Sequence, residues 1–70
     1  MIIRTRNSIY KVNFIRRADR SEFQVTYISG TSFPVGSYWE GDEVILTEEG
    51  LILRRKGEVL LRTSPIKEVE

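Results

Sequence analysis

A chain of 70 residues, 40% apolar, hides only about 60% of the surface its unfolded form exposes, so residues 1–70 make one small domain that must use nearly every apolar side chain. With no cysteine and no histidine there is no disulfide, no thiolate zinc site and no thiol nucleophile, and the commonest metal ligand and general base are missing. Eleven basic against ten acidic groups leave a net charge of +1, far from the balance that advertises a nucleic-acid binder, although residues 40–53 hold five acidic groups and no basic one.

Segments of five to eight residues rich in Ile, Val, Thr, Tyr and Phe recur between Gly, Pro, Asn, Ser or charge clusters, which predicts strands and turns. The chain opens with Met1-Ile2-Ile3-Arg4-Thr5-Arg6, too short an apolar run for a signal peptide or membrane span, so a cytoplasmic protein is expected. Strands Ile2 to Arg6 and Ile9 to Ile15, joined by a two-residue Asn7-Ser8 turn, place Thr5 opposite Tyr10 and gather Ile3, Thr5, Tyr10, Val12 and Phe14 on a core side. The reverse side carries Arg4, Arg6, Lys11 and Asn13. It also carries Ile2, Ile9 and Ile15, more apolar surface than a solvated face needs, and predicts either self-association or cover from the C-terminal strand.

Arg16 to Ser21 reads as a polar connection, followed by a half-buried strand in which Phe23, Val25 and Tyr27 alternate with Gln24 and Thr26. Thr31 to Glu43, with Pro34, Gly36 and Gly41 among Phe33, Tyr38 and Trp39, reads as the longest irregular segment. Leu46 to Leu61 has good helix formers but is cut by Gly50 and Gly57, each costing about 1 kcal/mol in a helix interior, so strands Val44 to Thr47, Leu51 to Arg54 and Glu58 to Arg62 fit better. A three-residue loop with Gly57 in the left-handed position pairs Arg54 with Glu58 and gathers Leu51, Leu53, Val59 and Leu61 in the core. Pro65 breaks the run, and Ile66 to Val69 is a last edge strand. Six to seven short, mostly antiparallel strands predict an all-β fold, first an SH3-like or similar small barrel, with a two-sheet roll or sandwich as the alternative.

The carboxylates Glu40, Asp42, Glu43, Glu48 and Glu49 do not match calcium-loop spacing and read as solvated turns. Serine and threonine lack a base to activate them, and the glycines are scattered singly, so neither an enzyme nor a cofactor, metal or small-molecule site is predicted. Two binding sets remain. Phe33, Tyr38 and Trp39, with Ile2, Ile9 and Ile15, would meet a protein partner or a second copy, unless the three aromatics instead form a lid on one end of the core. Arg4, Arg6, Arg16, Arg17, Arg20, Arg54, Arg55 and Lys56 are the alternative, a basic face for nucleic acid.

Thr5-Arg6-Asn7-Ser8-Ile9-Tyr10 near the start, Ser29-Gly30 before a segment with Trp39, and Thr63-Ser64-Pro65-Ile66 near the end form a pattern across the chain. It resembles short proteins of bacteriophages and some bacteria with a T-x-N-S-x-Y opening and a T-S-x-[VI] close, whose function is unassigned. The resemblance implies a free-standing accessory protein and supplies no activity. The expectation from the residues is a non-catalytic interaction module, with protein preferred to nucleic acid because five carboxylates in one stretch repel phosphate.

Overall fold

Alternating apolar side chains set the first elements. In the computed structural model, which describes all 70 residues, β1 (Ile2–Thr5) and β2 (Ile9–Arg16) pair antiparallel with Ile3 opposite Tyr10 and Arg4 opposite Ile9. The predicted two-residue turn is therefore replaced by a longer loop, shifting the register by two positions. Thr5 causes this: its N–H donates to the Ser8 carbonyl at 2.8 Å while its hydroxyl accepts the Ser8 N–H at 3.1 Å, closing the loop without left-handed backbone at Asn7. A slip of two keeps every side chain on its face, so Ile3, Thr5, Tyr10 and Val12 are still buried. Phe14 is not, at 55% exposure. The Val12 N–H already meets the Met1 carbonyl, so β1 has ended where Phe14 stands, and the Phe14 ring is tilted against Phe23, with ring centroids 5.3 Å apart.

β3 (Ser21–Ser29) pairs with β2 along its length and buries Val25 and Tyr27. The segment expected to be irregular contains a further strand, β4 (Tyr38–Gly41), which sets Trp39 opposite Val25. β5 (Glu43–Thr47), β6 (Gly50–Arg55) and β7 (Glu58–Arg62) form a separate antiparallel group, and β8 (Ile66–Val69) pairs with β1. The β6–β7 turn is also tighter than expected. Lys56 and Gly57 both have positive φ, 50° and 83°, as a two-residue hairpin turn of the favoured twist requires, so Arg55 rather than Arg54 faces Glu58. Left alone, that turn would bring Leu60 opposite Leu53. A bulge prevents it: Arg54 pairs with Val59 and Leu53 with Leu61, leaving Leu60 without a partner. Leu51, Leu53 and Leu61 are thereby buried as predicted, whereas Val59 is turned outward beside Arg54 and is 46% exposed.

The fold is all-β, in two antiparallel sheets ordered β4-β3-β2-β1-β8 and β5-β6-β7. This is the two-sheet alternative and not the closed barrel. The chain crosses between sheets at Asp42, whose N–H donates to the Arg54 carbonyl at 2.9 Å, and again at Thr63 to Pro65. There Thr63 bonds Leu51 through both its N–H and its hydroxyl before Pro65, lacking an N–H, ends the ladder. The core lies between the sheets: Ile3, Tyr10, Val12, Val25 and Tyr27 from the first, Leu51, Leu53 and Leu61 from the second. β8 extends the first sheet beside β1, so it does not cover the face that bears Ile2, Ile9 and Ile15.

Candidate functional site

The loop between β2 and β3 brings basic residues around one carboxylate. Glu22 lies on the face of β3 opposite Phe23 and Val25, where a side chain this polar would ordinarily be wet, yet it is only 3% exposed. Arg20 Nε is 2.9 Å and Arg55 Nη2 3.4 Å from its Oε1, and Arg17 Nε donates to its Oε2 at 3.2 Å. Arg17 also reaches Glu40 at 3.5 Å, and the Arg55 guanidinium bonds the Glu40 carbonyl from β4. Burial alone would push the Glu22 carboxyl up, but the Arg17 hydrogen bond and the charges of Arg20, Arg55 and Arg17 together outweigh it and hold the group below its ordinary range. The cluster ties the β2–β3 loop to β4 and to the second sheet. Sequence reasoning missed Glu22 as its centre, although an acid that closely follows Arg16, Arg17 and Arg20 was the available signal.

The same pairing disperses the predicted basic face. Arg4 is held by Glu68 at 3.0 Å, Arg54 by Glu43 at 3.2 Å, and Arg17, Arg20 and Arg55 by Glu22. Arg6, Arg16 and Lys56 remain exposed, the first in the β1–β2 loop, the second at the end of β2 and the third in the β6–β7 turn. They do not form one stripe.

The apolar candidates also divide. Ile2 and Ile9 sit near one another across β1 and β2, but Lys11 and Asn13 separate Ile9 from Ile15 on the same face, about 20 Å along the strand at 3.3 Å per residue. Ile15 lies opposite Glu22, beside the arginine cluster. All three isoleucines are half-buried. Of the aromatics, Phe33 packs edge-on between Tyr27 and Trp39, with centroids 5.4 and 4.8 Å away, which is the lid arrangement. Tyr38, on the other face of β4, stands 61% exposed. The lid is strapped down through Tyr27: its N–H donates to Ser37, its carbonyl accepts from Gly36, and its hydroxyl bonds Ser8 Oγ and the Ser32 N–H, both at 2.9 Å. Burial pushes Tyr27 up, yet those hydrogen bonds prevail and bring it below its ordinary value, whereas burial of neighbouring Tyr10 prevails over the Ser8 hydroxyl and raises it.

The acidic stretch does not converge. Glu40 turns to Arg17, Glu43 to Arg54, and Asp42 accepts the Lys56 N–H at 3.0 Å, and no group of three His, Cys, Asp or Glu side chains is placed to hold a metal ion. A polar recess of about 80 Å³ between Thr47, Glu49, Gly50, Ile52, Arg62 and Thr63 is the one pocket in the molecule, well below the roughly 300 Å³ at which ligand sites begin. No helix long and apolar enough to cross a membrane is present. Compared with known proteins, the chain matches no family model, no curated protein and no solved structure.

Proposed function

We propose that this protein is a non-catalytic interaction module of the cytoplasm that docks on another protein or on a second copy of itself. One observation carries this reading: the molecule sets Arg4, Arg17, Arg20, Arg54 and Arg55 within ion-pair distance of its own carboxylates, while large apolar side chains such as Tyr38, Leu46, Val59 and Leu60 stand exposed. A phosphate backbone would have to compete with carboxylates already seated on those arginines. A protein surface gains from covering the apolar groups and can match the remaining charges in pairs. The resemblance to phage and bacterial accessory proteins is compatible with this role and adds no chemistry to it.

The test has two arms. Captured partners from nuclease-treated lysate are purified and recombined with the full chain, and self-association is followed by light scattering over a range of concentration. A reconstituted complex or a concentration-dependent dimer supports the module. Submicromolar binding to mixed DNA or RNA oligomers at about 0.15 M salt, where the Debye length is roughly 8 Å, would replace it with the nucleic-acid alternative if Arg16→Ala with Arg17→Ala abolished that binding.

A further inference from the structure

Four strands lie at the edges of the two sheets, and they differ in how well they could accept another strand. β4 and β8 have four residues each, and the ladder between β1 and β8 is irregular at Arg4 and Thr5. β7 carries the bulge at Leu60, which leaves that residue without a partner and breaks the regular pairing that an added strand must match. β5 differs from all three. Its five residues pair with β6 without a shift, from Glu43 opposite Arg54 to Thr47 opposite Gly50, and its outer edge carries no strand. Three consecutive apolar residues occupy its centre. Val44 and Ile45 are half-buried and Leu46 is 41% exposed.

Charge decides what can pair there. Asp42 and Glu43 precede the apolar centre and Glu48 and Glu49 follow it; Arg54 neutralises Glu43, while Glu48 and Glu49 stand exposed in the β5–β6 turn. A second copy is a poor occupant. Antiparallel pairing of two β5 strands about Ile45 sets Asp42 of each opposite Glu48 of the other, like charges directly across a ladder. An extended segment with basic residues on both sides of an apolar centre meets Asp42 at one end and Glu48 and Glu49 at the other, and lays its alternate side chains against Ile45 on one face and Val44 and Leu46 on the other.

We propose that the free edge of β5 receives an extended peptide strand of another protein, with lysine or arginine flanking two or three apolar residues. This rests on the interaction-module reading and specifies its surface and partner. The strand is held by backbone hydrogen bonds to β5, and the acidic ends select its charge.

The experiment titrates the full chain into a labelled, end-capped peptide of alternating valine and threonine with two lysines at each end, followed by fluorescence anisotropy. Saturable binding is expected, weakened about tenfold or more by N-methylation of alternate peptide amides and about fivefold by Glu48→Gln with Glu49→Gln, two exposed positions that do not hold the fold. Hydrogen exchange should slow within Glu43–Thr47 and not at the other edges. Equal affinity for the N-methylated peptide, protection elsewhere on the molecule, or no binding overturns the proposal. If the peptide fails while a complex is reconstituted through other surface residues, the β5 edge is discarded and the module stands. Submicromolar nucleic-acid binding lost with Arg16→Ala and Arg17→Ala discards the module whatever the peptide does.

Discussion

Tyr27 shows how one side chain can organise a segment that has little regular structure of its own. Its ring meets Tyr10 and Phe33 edge-on, and its hydroxyl occupies the space beside Gly30, where φ is +138° and an added Cβ would run into both the Tyr27 hydroxyl and Ser8 Oγ. Gly30→Ala is therefore expected to cost about 3 kcal/mol or more, combining left-handed strain with loss of the Tyr27 hydrogen bonds, read as a fall in the urea midpoint. Tyr27→Phe, which removes the hydroxyl but keeps the ring, should cost less, about 1–2 kcal/mol. Glu22 makes a comparable centre from charge. Its folded carboxyl titrates below the ordinary 4.5, so the unfolded chain takes up the proton first as pH falls. The contribution of Glu22 is complete above the ordinary value and is lost as pH drops through the lowered one. Glu22→Gln should lower the urea midpoint at neutral pH and flatten the acid limb of stability against pH. A mutant whose acid limb runs parallel to that of the parent would show that the arginines contribute nothing through this carboxylate.

At the scale of the strand, the sequence showed the face of most core residues, but neither the register nor the place of Val59, which the two-residue turn sets beside Arg54 and out of the core. The alternation Ile3, Thr5, Tyr10, Val12 and the run Leu51, Leu53, Leu61 identify core positions because burial acts on each side chain separately. Register depends on a few loop contacts. Thr5 capping Ser8 displaced the first hairpin by two positions, and the Leu60 bulge compensated for a turn one residue shorter than expected. β4 was illegible for another reason: its four residues follow Pro34 and Gly36, and it becomes a strand only because β3 offers an edge on which Trp39 can lie opposite Val25. Of the candidate surface, the acidic flanks of β5 were visible as charge, but its position at a sheet edge was not. The β6–β7 turn supplies the test at this scale. Lys56 holds φ at 50° with a side chain that disfavours it, whereas asparagine enters that region readily, so Lys56→Asn should raise stability by about 0.5–1 kcal/mol. A destabilised Lys56→Asn would mean that the Lys56 side chain contributes more than its backbone strain costs.

For the whole molecule, two crossings of the chain make the sheets depend on one another. β4 and β5 are separated only by Asp42, and Thr63 bonds Leu51 just before β8 joins β1, so neither sheet can open without disturbing the other. Eight buried apolar side chains form the shared core, and at about 0.05–0.15 kcal/mol per residue a domain of this length holds only about 4–10 kcal/mol in total. Leu53, fully buried in the second sheet, should cost about 2–5 kcal/mol when changed to alanine, a large fraction of that total. The protein's single tryptophan, Trp39, reports from the first sheet, where it packs on Phe33. Leu53→Ala is therefore expected to shift the unfolding of Trp39 fluorescence and of far-ultraviolet circular dichroism together, to the same lower urea midpoint. Phe14→Ala, at a position 55% exposed beyond the end of β1, should move both by less than Leu53→Ala does. If Leu53→Ala lowers the dichroism midpoint while Trp39 keeps its original transition, the sheets unfold separately. The crossings at Asp42 and Thr63 would then join two independent units rather than one cooperative domain.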